Sequence, residues 1–251
     1  MMTPVIRRVF DACAGLADRA EVTDLTIGLG YTAVVVDGVD LGLSYTWFET
    51  KTCCSPAGRL AHVEGEPASV LLELLLSDDG IERSVGVATV NALTHTQAAA
   101  CADDPPPGAV VRDLGAGAGS RVAMVGYFPP LARALEERGA ELEVLDSARQ
   151  MGDPARFEDR LRTWAEIVVL TGTTVLNGSV DSLLAATGPQ ARAIVLGPTT
   201  PLVPEAFAGT AVVALAGMVA TDVDRVQRLV RRGAGTPEIQ RYARKVVCPV
   251  G

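Results

Sequence analysis

The spacing of apolar residues changes along this chain, and the change divides it into two parts. In the first part, an amphipathic pattern from Thr3 to Ala20 predicts a helix. Apolar residues then alternate with polar or small ones as far as Trp47, which predicts strands, and Asp37-Gly38 between two of these runs favours a two-residue hairpin turn. We therefore expect a helix followed by a three-stranded antiparallel meander.

After the meander, residues 51–65 show no periodicity and are expected to form a loop. Two more helices are predicted after this loop, at residues 67–76 and 81–100. Three consecutive prolines within residues 103–108 then break the pattern and favour an extended spacer. We place a domain boundary there. The expected units are an α+β domain at residues 1–107 and an α/β domain at 108–251, each with its own core.

In the second part, near-continuous apolar runs alternate with amphipathic segments. Five runs are typical of buried parallel strands, at residues 121–126, 141–145, 167–170, 193–196 and 211–215. Helices are predicted between and after them, at 129–138, 153–164, 176–184, 221–233 and from 236 onward. This alternation predicts a parallel sheet of about five strands covered on both faces, with the carboxyl ends of all strands on one rim.

Polar and glycine-containing bends follow the predicted strands, at the rim where open α/β sheets bind ligands. In strand order these bends contain Gly126, Tyr127 and Phe128, then Asp146, then Thr171, Gly172, Thr173, Thr174, Asn177 and Gly178, and finally Pro198, Thr199 and Thr200. Hydroxyls, an amide and backbone N–H groups suit a polar or anionic small ligand. One threonine alone is better explained as a turn or cap residue, but two such bends favour a site. Asp146 is the best-placed carboxylate, and Tyr127 is a candidate proton carrier.

Composition excludes several classes of protein. The formal charge of −8, from 22 basic and 30 acidic residues, provides no whole-chain basic footprint for nucleic acid or anionic membranes. No apolar run is long enough to span a bilayer, and charged residues in the amino-terminal pattern argue against a signal peptide, so we expect a cytoplasmic protein. Five cysteines without framework spacing predict reduced thiols, with Cys13 and Cys101 as core or helix-surface residues.

Familiar cofactor and catalytic motifs are missing from the sequence. The glycine-rich residues 115–120 precede the first strand of the second part, whereas a dinucleotide fingerprint follows its strand, so NAD and FAD are disfavoured. There is no P-loop, G-x-S-x-G or H-E-x-x-H motif, and two histidines leave few bases for a catalytic triad. Cys53, Cys54 and His62 share one loop and are weak candidates for a metal site, because C-x-x-C spacing is absent.

Five segments resemble a known family, the heavy-metal chelation family of unknown function. They are VGVATVNAL (85–93), VAMVGYFPPL (122–131), VVLTGTTVLNGSVDSLL (168–184), LGPTTPLVPEAF (196–207) and LAGMVATD (215–222). The resemblance implies an enolase N-terminal-like domain followed by a Rossmann-like domain. It also implies a cleft between them, lined by Asn91 from the first domain and by Phe128, Thr173, Asn177 and Thr199 from the second. From the residues alone, Asn91 fits a ligand contact and a bridge between elements equally well.

The same resemblance implies two functional hypotheses. Because the Rossmann-like part is similar to methyltransferases, the first is an enzyme in the biosynthesis or handling of a metal-chelating metabolite of siderophore, pterin or flavin type, with a transferase or hydrolase-type activity. The second is a non-catalytic protein that binds a heavy-metal chelate or an anionic metabolite. The expected partner is a small molecule, and the cofactor is left open between an S-adenosylmethionine-like or nucleotide-like ligand and a divalent metal ion. A homo-oligomer is also left open.

Overall fold

The computed structural model describes residues 3–48, 58, 60–104, 111 and 114–251. Its strands are β1 Val22–Ile27, β2 Tyr31–Val36, β3 Asp40–Tyr45, β4 Ala102–Asp103, β5 Arg121–Val125, β6 Glu141–Leu145, β7 Ile167–Thr171, β8 Arg192–Leu196, β9 Val212–Ala220 and β10 Ala243–Pro249. Its helices are α1 Val5–Ala17, α2 Ser69–Leu72, α3 Gly80–Leu93, α4 His95–Ala99, α5 Pro129–Glu137, α6 Pro154–Thr163, α7 Thr173–Leu176, α8 Val180–Ala186, α9 Val223–Arg231 and α10 Thr236–Ile239. The described ranges also contain 3₁₀ turns at Glu73–Leu76, Ser147–Arg149, Pro204–Phe207 and Gln240–Tyr242. The mixed α/β class is confirmed.

The first sheet is the predicted meander, with strand order β1-β2-β3 and antiparallel pairing throughout. Asp37 and Gly38 have φ angles of 52° and 74°, as the two central residues of a type I′ turn require. Helix α3 lies directly on β3, because a Cβ atom at Gly42 would stand 2.0 Å from the carbonyl oxygen of Ala88. Only glycine allows the two backbones to approach so closely.

The second sheet has seven strands in the order β4-β10-β9-β8-β7-β5-β6. Its five parallel strands, β6, β5, β7, β8 and β9, are those predicted, and β10 and β4 add an antiparallel edge. The final helix predicted to begin at Thr236 is present as α10, but it covers only four residues, and the chain then forms β10, which was not predicted. Strand β9 is also longer than predicted, since β10 pairs with it from Ala214 to Ala220.

One of the buried clusters extends across both parts of the chain, and the division into two domains at residues 107 and 108 stays a prediction. One buried cluster joins Val9 of α1 and Val85 of α3 to Leu170 of β7 and Leu215 of β9. Strand β4, which precedes the predicted boundary, pairs within the second sheet. The helices of the first part therefore cover one face of the second sheet. The opposite face holds a second cluster that includes Met124.

Other predictions in the first part need adjustment. The helix expected at residues 81–100 is divided at Thr94 into α3 and α4, and the helix expected at 67–76 is a short α-helix followed by a 3₁₀ turn. The reduced state expected for Cys101 is wrong in this structure, because it forms a disulfide with Cys248. Within the described ranges, no helix has the length and apolar character needed to cross a bilayer.

Candidate functional site

The candidate site lies at the point where the strand order of the second sheet reverses. The chain runs from β5 outward to β6 and then returns to the other side of β5 as β7, and the helices that follow β5 and β7 pack on opposite faces of the sheet. In open α/β sheets, the crevice beyond the carboxyl ends of two such strands is the usual ligand position. Gly126 follows β5 and Thr171 ends β7, so the predicted residues of both loops border this crevice.

Close backbone packing brings the predicted bends together. A Cβ atom at Gly172 would lie 2.5 Å from the backbone nitrogen of Thr200, so the bend after β7 touches the bend after β8. Gly126, with φ of 82°, lies against Thr171, whose Cβ would be 2.9 Å from an added Cβ atom. Three consecutive loops of the rim are therefore in contact, and glycines at 126 and 172 make that possible.

Only part of the threonine turn is available to a ligand. Thr174 is 1% exposed and its hydroxyl donates to the carbonyl oxygen of Thr171 at 2.8 Å, which closes the turn. The hydroxyls of Thr171 and Thr173 lie 3.1 Å apart, and both side chains are partly exposed. Each hydroxyl has two acceptor lone pairs and one donor, so this pair keeps unused hydrogen-bonding capacity.

Asn177 and Gly178 shape the following turn. The Oδ1 atom of Asn177 accepts hydrogen bonds from the backbone nitrogen and the hydroxyl of Ser179, at 3.0 and 2.7 Å. Gly178 has φ of 72°. Arg83 of α3, which the sequence analysis did not single out, donates through Nη1 to the carbonyl oxygen of Leu176 at 2.6 Å and so ties the first part of the chain to the end of α7.

The amide of Asn91 is a bridge in this structure. Its Nδ2 donates to the carbonyl oxygen of Leu43 at 2.9 Å, and its Oδ1 accepts from the backbone nitrogen of Leu202 at 3.2 Å. The side chain is 7% exposed. The same amide therefore joins β3 of the meander to the loop after β8, and the ligand contact implied by the family resemblance stays a prediction.

Thr199 and Thr200 are both buried. The hydroxyl of Thr199 accepts a hydrogen bond from the backbone nitrogen of Tyr45 at 2.9 Å. The Oγ1 atom of Thr200 is buried and has no hydrogen-bond partner among the residues that the structure describes. These two residues therefore contribute little exposed surface to the rim.

Two aromatic residues, Phe128 and Tyr45, lie next to the loop after β8, in which Pro198 is partly exposed. Phe128 approaches Gly197, where an added Cβ atom would be 3.9 Å from its Cε1 atom. Tyr45 is 41% exposed and packs edge-on against Tyr31, with ring centroids 6.4 Å apart. The sequence predicts only that Tyr45 belongs to a strand, because alternation indicates which residues form a strand but not which other sheet the end of that strand reaches.

Asp146 is held by its neighbours. Its carboxylate accepts hydrogen bonds from the backbone nitrogen of Tyr127 at 2.8 Å, and from the backbone nitrogen and Nη1 of Arg149 at 3.0 and 2.7 Å. Burial by itself would raise the pKa of Asp146, but these hydrogen bonds and the Arg149 charge outweigh it and lower the pKa below its usual range. A carboxylate bound in this way is a weak base, so its best-supported role is to fix the loop that contains Tyr127.

The metal site predicted at Cys53, Cys54 and His62 stays a prediction, because most of it falls on residues that the structure does not describe. Cys53 and Cys54 lie outside the described residues, and His62 is exposed. In the described part of the chain, no group of three His, Cys, Asp or Glu side chains is placed to hold a metal ion. Cys13 is a buried thiol whose pKa is raised to about 12 by burial and by the charge of Glu205. Cys13 thus resists forming the thiolate that metals bind.

Known proteins resemble the whole of this chain. Two solved structures of proteins of unknown function from the DUF364 family match it. The protein from Pyrococcus horikoshii has a TM-score of 0.78 and 22% identity, with 98% of this chain and 100% of that chain covered. The protein from Desulfitobacterium hafniense has a TM-score of 0.81 and 22% identity, with 97% and 98% covered. These matches establish a shared fold.

Sequence comparison gives the family. An uncharacterised protein of Methanocaldococcus jannaschii is 29% identical over 159 residues, which span 59% of this chain and 59% of that protein. The DUF4213 family model matches residues 10–94 and the DUF364 family model matches residues 110–249, and both carry the description "Putative heavy-metal chelation". The second match covers more than half of the chain, so the protein belongs to the DUF364 heavy-metal chelation family.

Proposed function

We propose that the crevice between the loops after β5 and β7 binds a small polar metabolite, and that the protein acts as an enzyme in the biosynthesis or handling of a metal-chelating compound. The observation that carries this proposal is the packing of Gly126 against Thr171 at the strand-order reversal. In this packing, the side chains of Thr171 and Thr173 are partly exposed, and their hydroxyls form a hydrogen bond with each other. The family description supports the link to metal chelation.

The ligand class follows from the groups at the rim. Hydroxyls and backbone groups dominate at the rim. The carboxylate of Asp146 already accepts hydrogen bonds from Tyr127 and Arg149. Such a site suits a compound recognised through several hydrogen bonds, including an S-adenosylmethionine-like or nucleotide-like molecule. A divalent metal ion would then reach the protein as part of the chelating compound, and the reaction would be of transferase or hydrolase type.

A second candidate function is non-catalytic binding of a heavy-metal chelate or an anionic metabolite. The specific observation in its favour is Asp146, whose lowered pKa makes it a poor general base. The two functions differ in one measurable respect. An enzyme converts the bound compound when the co-substrate is supplied, whereas a binding protein returns the compound unchanged.

Native mass spectrometry of the purified protein, before and after dialysis against a chelator, tests the proposal. We expect a retained organic compound, with or without metal. A thermal-shift panel of S-adenosylmethionine, a nucleotide, a pterin and divalent metal ions then ranks ligand classes, because a ligand that binds only the folded state raises its stability. If no compound is retained and no member of the panel raises the melting temperature, the proposal is wrong.

Fractionation of cells tests the cytoplasmic location, which we retain as a proposal.

A further inference from the structure

A disulfide lies at the edge of the second sheet, away from the candidate ligand site. It joins Cys101, which follows α4, to Cys248 of β10. Strand β4, next to Cys101, is the outermost strand of this sheet in the described part of the chain. It is four positions from β7, which carries Thr171, in the strand order. The role of this bond is therefore separate from ligand binding at the rim.

Cys101 and Cys248 face each other on antiparallel strands. Ala102 pairs with Val247, so the next position in register brings Cys101 opposite Cys248. Their Cα atoms are 5.2 Å apart, and a separation of about 4.5 to 5.5 Å is expected for directly opposed residues of antiparallel strands. The bond is therefore a covalent link that continues the short ladder between β4 and β10.

The strand that this bond fastens is short and exposed. Strand β4 has two residues, and both are exposed, so it buries no apolar side chain. We call residues 99–103 the edge segment. It lies between Ala98, which is 2% exposed, and Asp104, whose backbone nitrogen donates to the carbonyl oxygen of Lys245 at 3.1 Å. Well-held residues thus anchor both ends of the edge segment, and an opening between them would be local.

Arg244 of β10 provides further contacts to the edge segment. Its guanidinium donates to the carbonyl oxygens of Ala99 and Cys101 and forms an ion pair with Asp103, whose side chain is 69% exposed. Ion pairs in contact with water contribute little stability, because water and salt screen the charges. The covalent bond is therefore the main link between the edge segment and β10.

The two sulfur atoms differ in their access to solvent. Cys101 is partly exposed, whereas Cys248 is 2% exposed. A disulfide is broken by a thiolate that attacks one of its sulfur atoms, and access decides which one, so attack is directed at Cys101. In a reducing compartment, such as the cytoplasm proposed above, disulfides are uncommon and are usually transient or redox-sensing. Exposure and the proposed compartment both fit a bond that is broken and remade.

We propose that the bond between Cys101 and Cys248 is a redox switch, which a dithiol protein of the thioredoxin class opens, and that its reduction releases the edge segment from β10. The reductant thiolate bonds to the sulfur of Cys101, and Cys248 leaves as a thiolate that takes up a proton. The second thiol of the reductant then attacks its partner sulfur in this mixed disulfide, and Cys101 leaves in the same way. The reductant becomes a disulfide, and the two cysteines together gain two electrons and two protons.

Reduction of the folded protein is the first test. The oxidised full-length protein is incubated with thioredoxin, thioredoxin reductase and NADPH, then alkylated with N-ethylmaleimide, and peptide mass spectrometry follows Cys101. We expect alkylation of Cys101 with the complete system and none when thioredoxin is omitted. A bond that stays oxidised in the folded protein and is reduced only in urea would be a permanent structural link, and the inference would be overturned.

Hydrogen exchange is the second test, because local opening exposes backbone amides to solvent. We expect a peptide covering the edge segment to exchange several-fold faster in the reduced protein, and a peptide of β9 to be unchanged. The Cys101→Ser, Cys248→Ser double variant should exchange as the reduced wild type does, with or without reductant. Equal exchange of the edge segment in both redox states would refute the switch. Loss of protection in β9 as well would show general unfolding and would also refute it.

The reactivity of Cys248 is the third test, and Cys13 is its matched internal control. Both cysteines are buried, with 2% and 1% exposure. If reduction releases the edge segment, N-ethylmaleimide should alkylate Cys248 several-fold faster than Cys13 in the folded, reduced protein. Equal rates would show that the edge stays closed after the bond is broken, which contradicts the inference. None of these measurements depends on the ligand site, so their failure leaves the proposed function untouched.

Discussion

The hydroxyl of Thr199 accepts a hydrogen bond from the backbone nitrogen of Tyr45 at 2.9 Å. This bond connects the end of the meander to the loop after β8, so the position of the rim depends on residues that lie far apart in the sequence. Asn91 makes a second connection between the same two regions. The rim is therefore assembled by both parts of the chain.

Replacing Thr199 by valine should lower the free energy of unfolding by about 1 to 3 kcal/mol. The substitution keeps the shape of the side chain but leaves the backbone N–H of Tyr45 without its acceptor, and an unpaired polar group costs about this much. Urea denaturation measures the change. Thr163→Val is the control, because the Thr163 hydroxyl is exposed and bonds within its own helix. Equal effects of the two substitutions would contradict the bridging role of Thr199.

Asn91→Leu should cost more than Asn91→Asp. Leucine removes the partners of both the Leu43 carbonyl and the Leu202 N–H, whereas aspartate still accepts from Leu202. We expect a loss of about 2 to 4 kcal/mol for leucine, on the basis of two unpaired groups. Asn177→Ala, at an exposed turn, should cost less than either. If Asn91→Leu unfolds at the same urea concentration as the wild type, the amide is not a structural bridge.

The disulfide between Cys101 and Cys248 closes a loop of 147 residues. Cross-linking so distant a pair restricts the unfolded chain, and its removal should cost about 3 to 5 kcal/mol. Thermal denaturation with and without dithiothreitol measures this loss. The Cys101→Ser, Cys248→Ser double variant should resemble the reduced wild type and should not respond further to reductant. A response of the double variant would show that another bond is being reduced.

Asp146 should stabilise the protein at neutral pH and lose this contribution in acid. Its folded-state pKa lies below the ordinary value of 3.8, so the stabilisation is present above that value and disappears as the pH falls through the lower, folded-state pKa. Asp146→Asn should therefore be destabilising at pH 7, and the difference from the wild type should shrink below about pH 4. Denaturant unfolding at pH 7 and pH 3 checks this. Asp159→Asn, at an exposed position, is the control, and a difference that is constant with pH would be contrary to expectation.

The parts of the fold that depend on local pattern could be predicted from the sequence. Asp37-Gly38 favours one turn type, and the apolar runs ending at Val125 and Leu196 leave little choice but buried parallel strands. Strand β10 was missed because Arg244 and Lys245 interrupt its apolar pattern and its partner is the extension of β9. Such pairing is a tertiary property, and a short segment does not encode it.

The contact between the rim bends could be predicted from the sequence, but the hydrogen bonds of the individual residues could not. The contact follows from strand order and from the bends at Thr171 and Thr199, because parallel strands share one rim. The roles of Asn91 and Asp146 depend on the N–H and C=O groups that the fold brings within reach, such as those of Leu43 and Tyr127. Sequence spacing does not determine those partners, and neither does it reveal that Cys101 meets Cys248.

Calorimetric titration of the compound that copurifies with the protein tests the central claim most directly. It compares the wild type with the Thr171→Val, Thr173→Val double variant and with Thr163→Val. Loss of hydrogen bonds from the two rim hydroxyls should raise the Kd by about tenfold or more, since 1.4 kcal/mol corresponds to a factor of ten. Thr163→Val should bind as the wild type does. An unchanged Kd in a folded double variant would contradict a ligand site between the loops after β5 and β7.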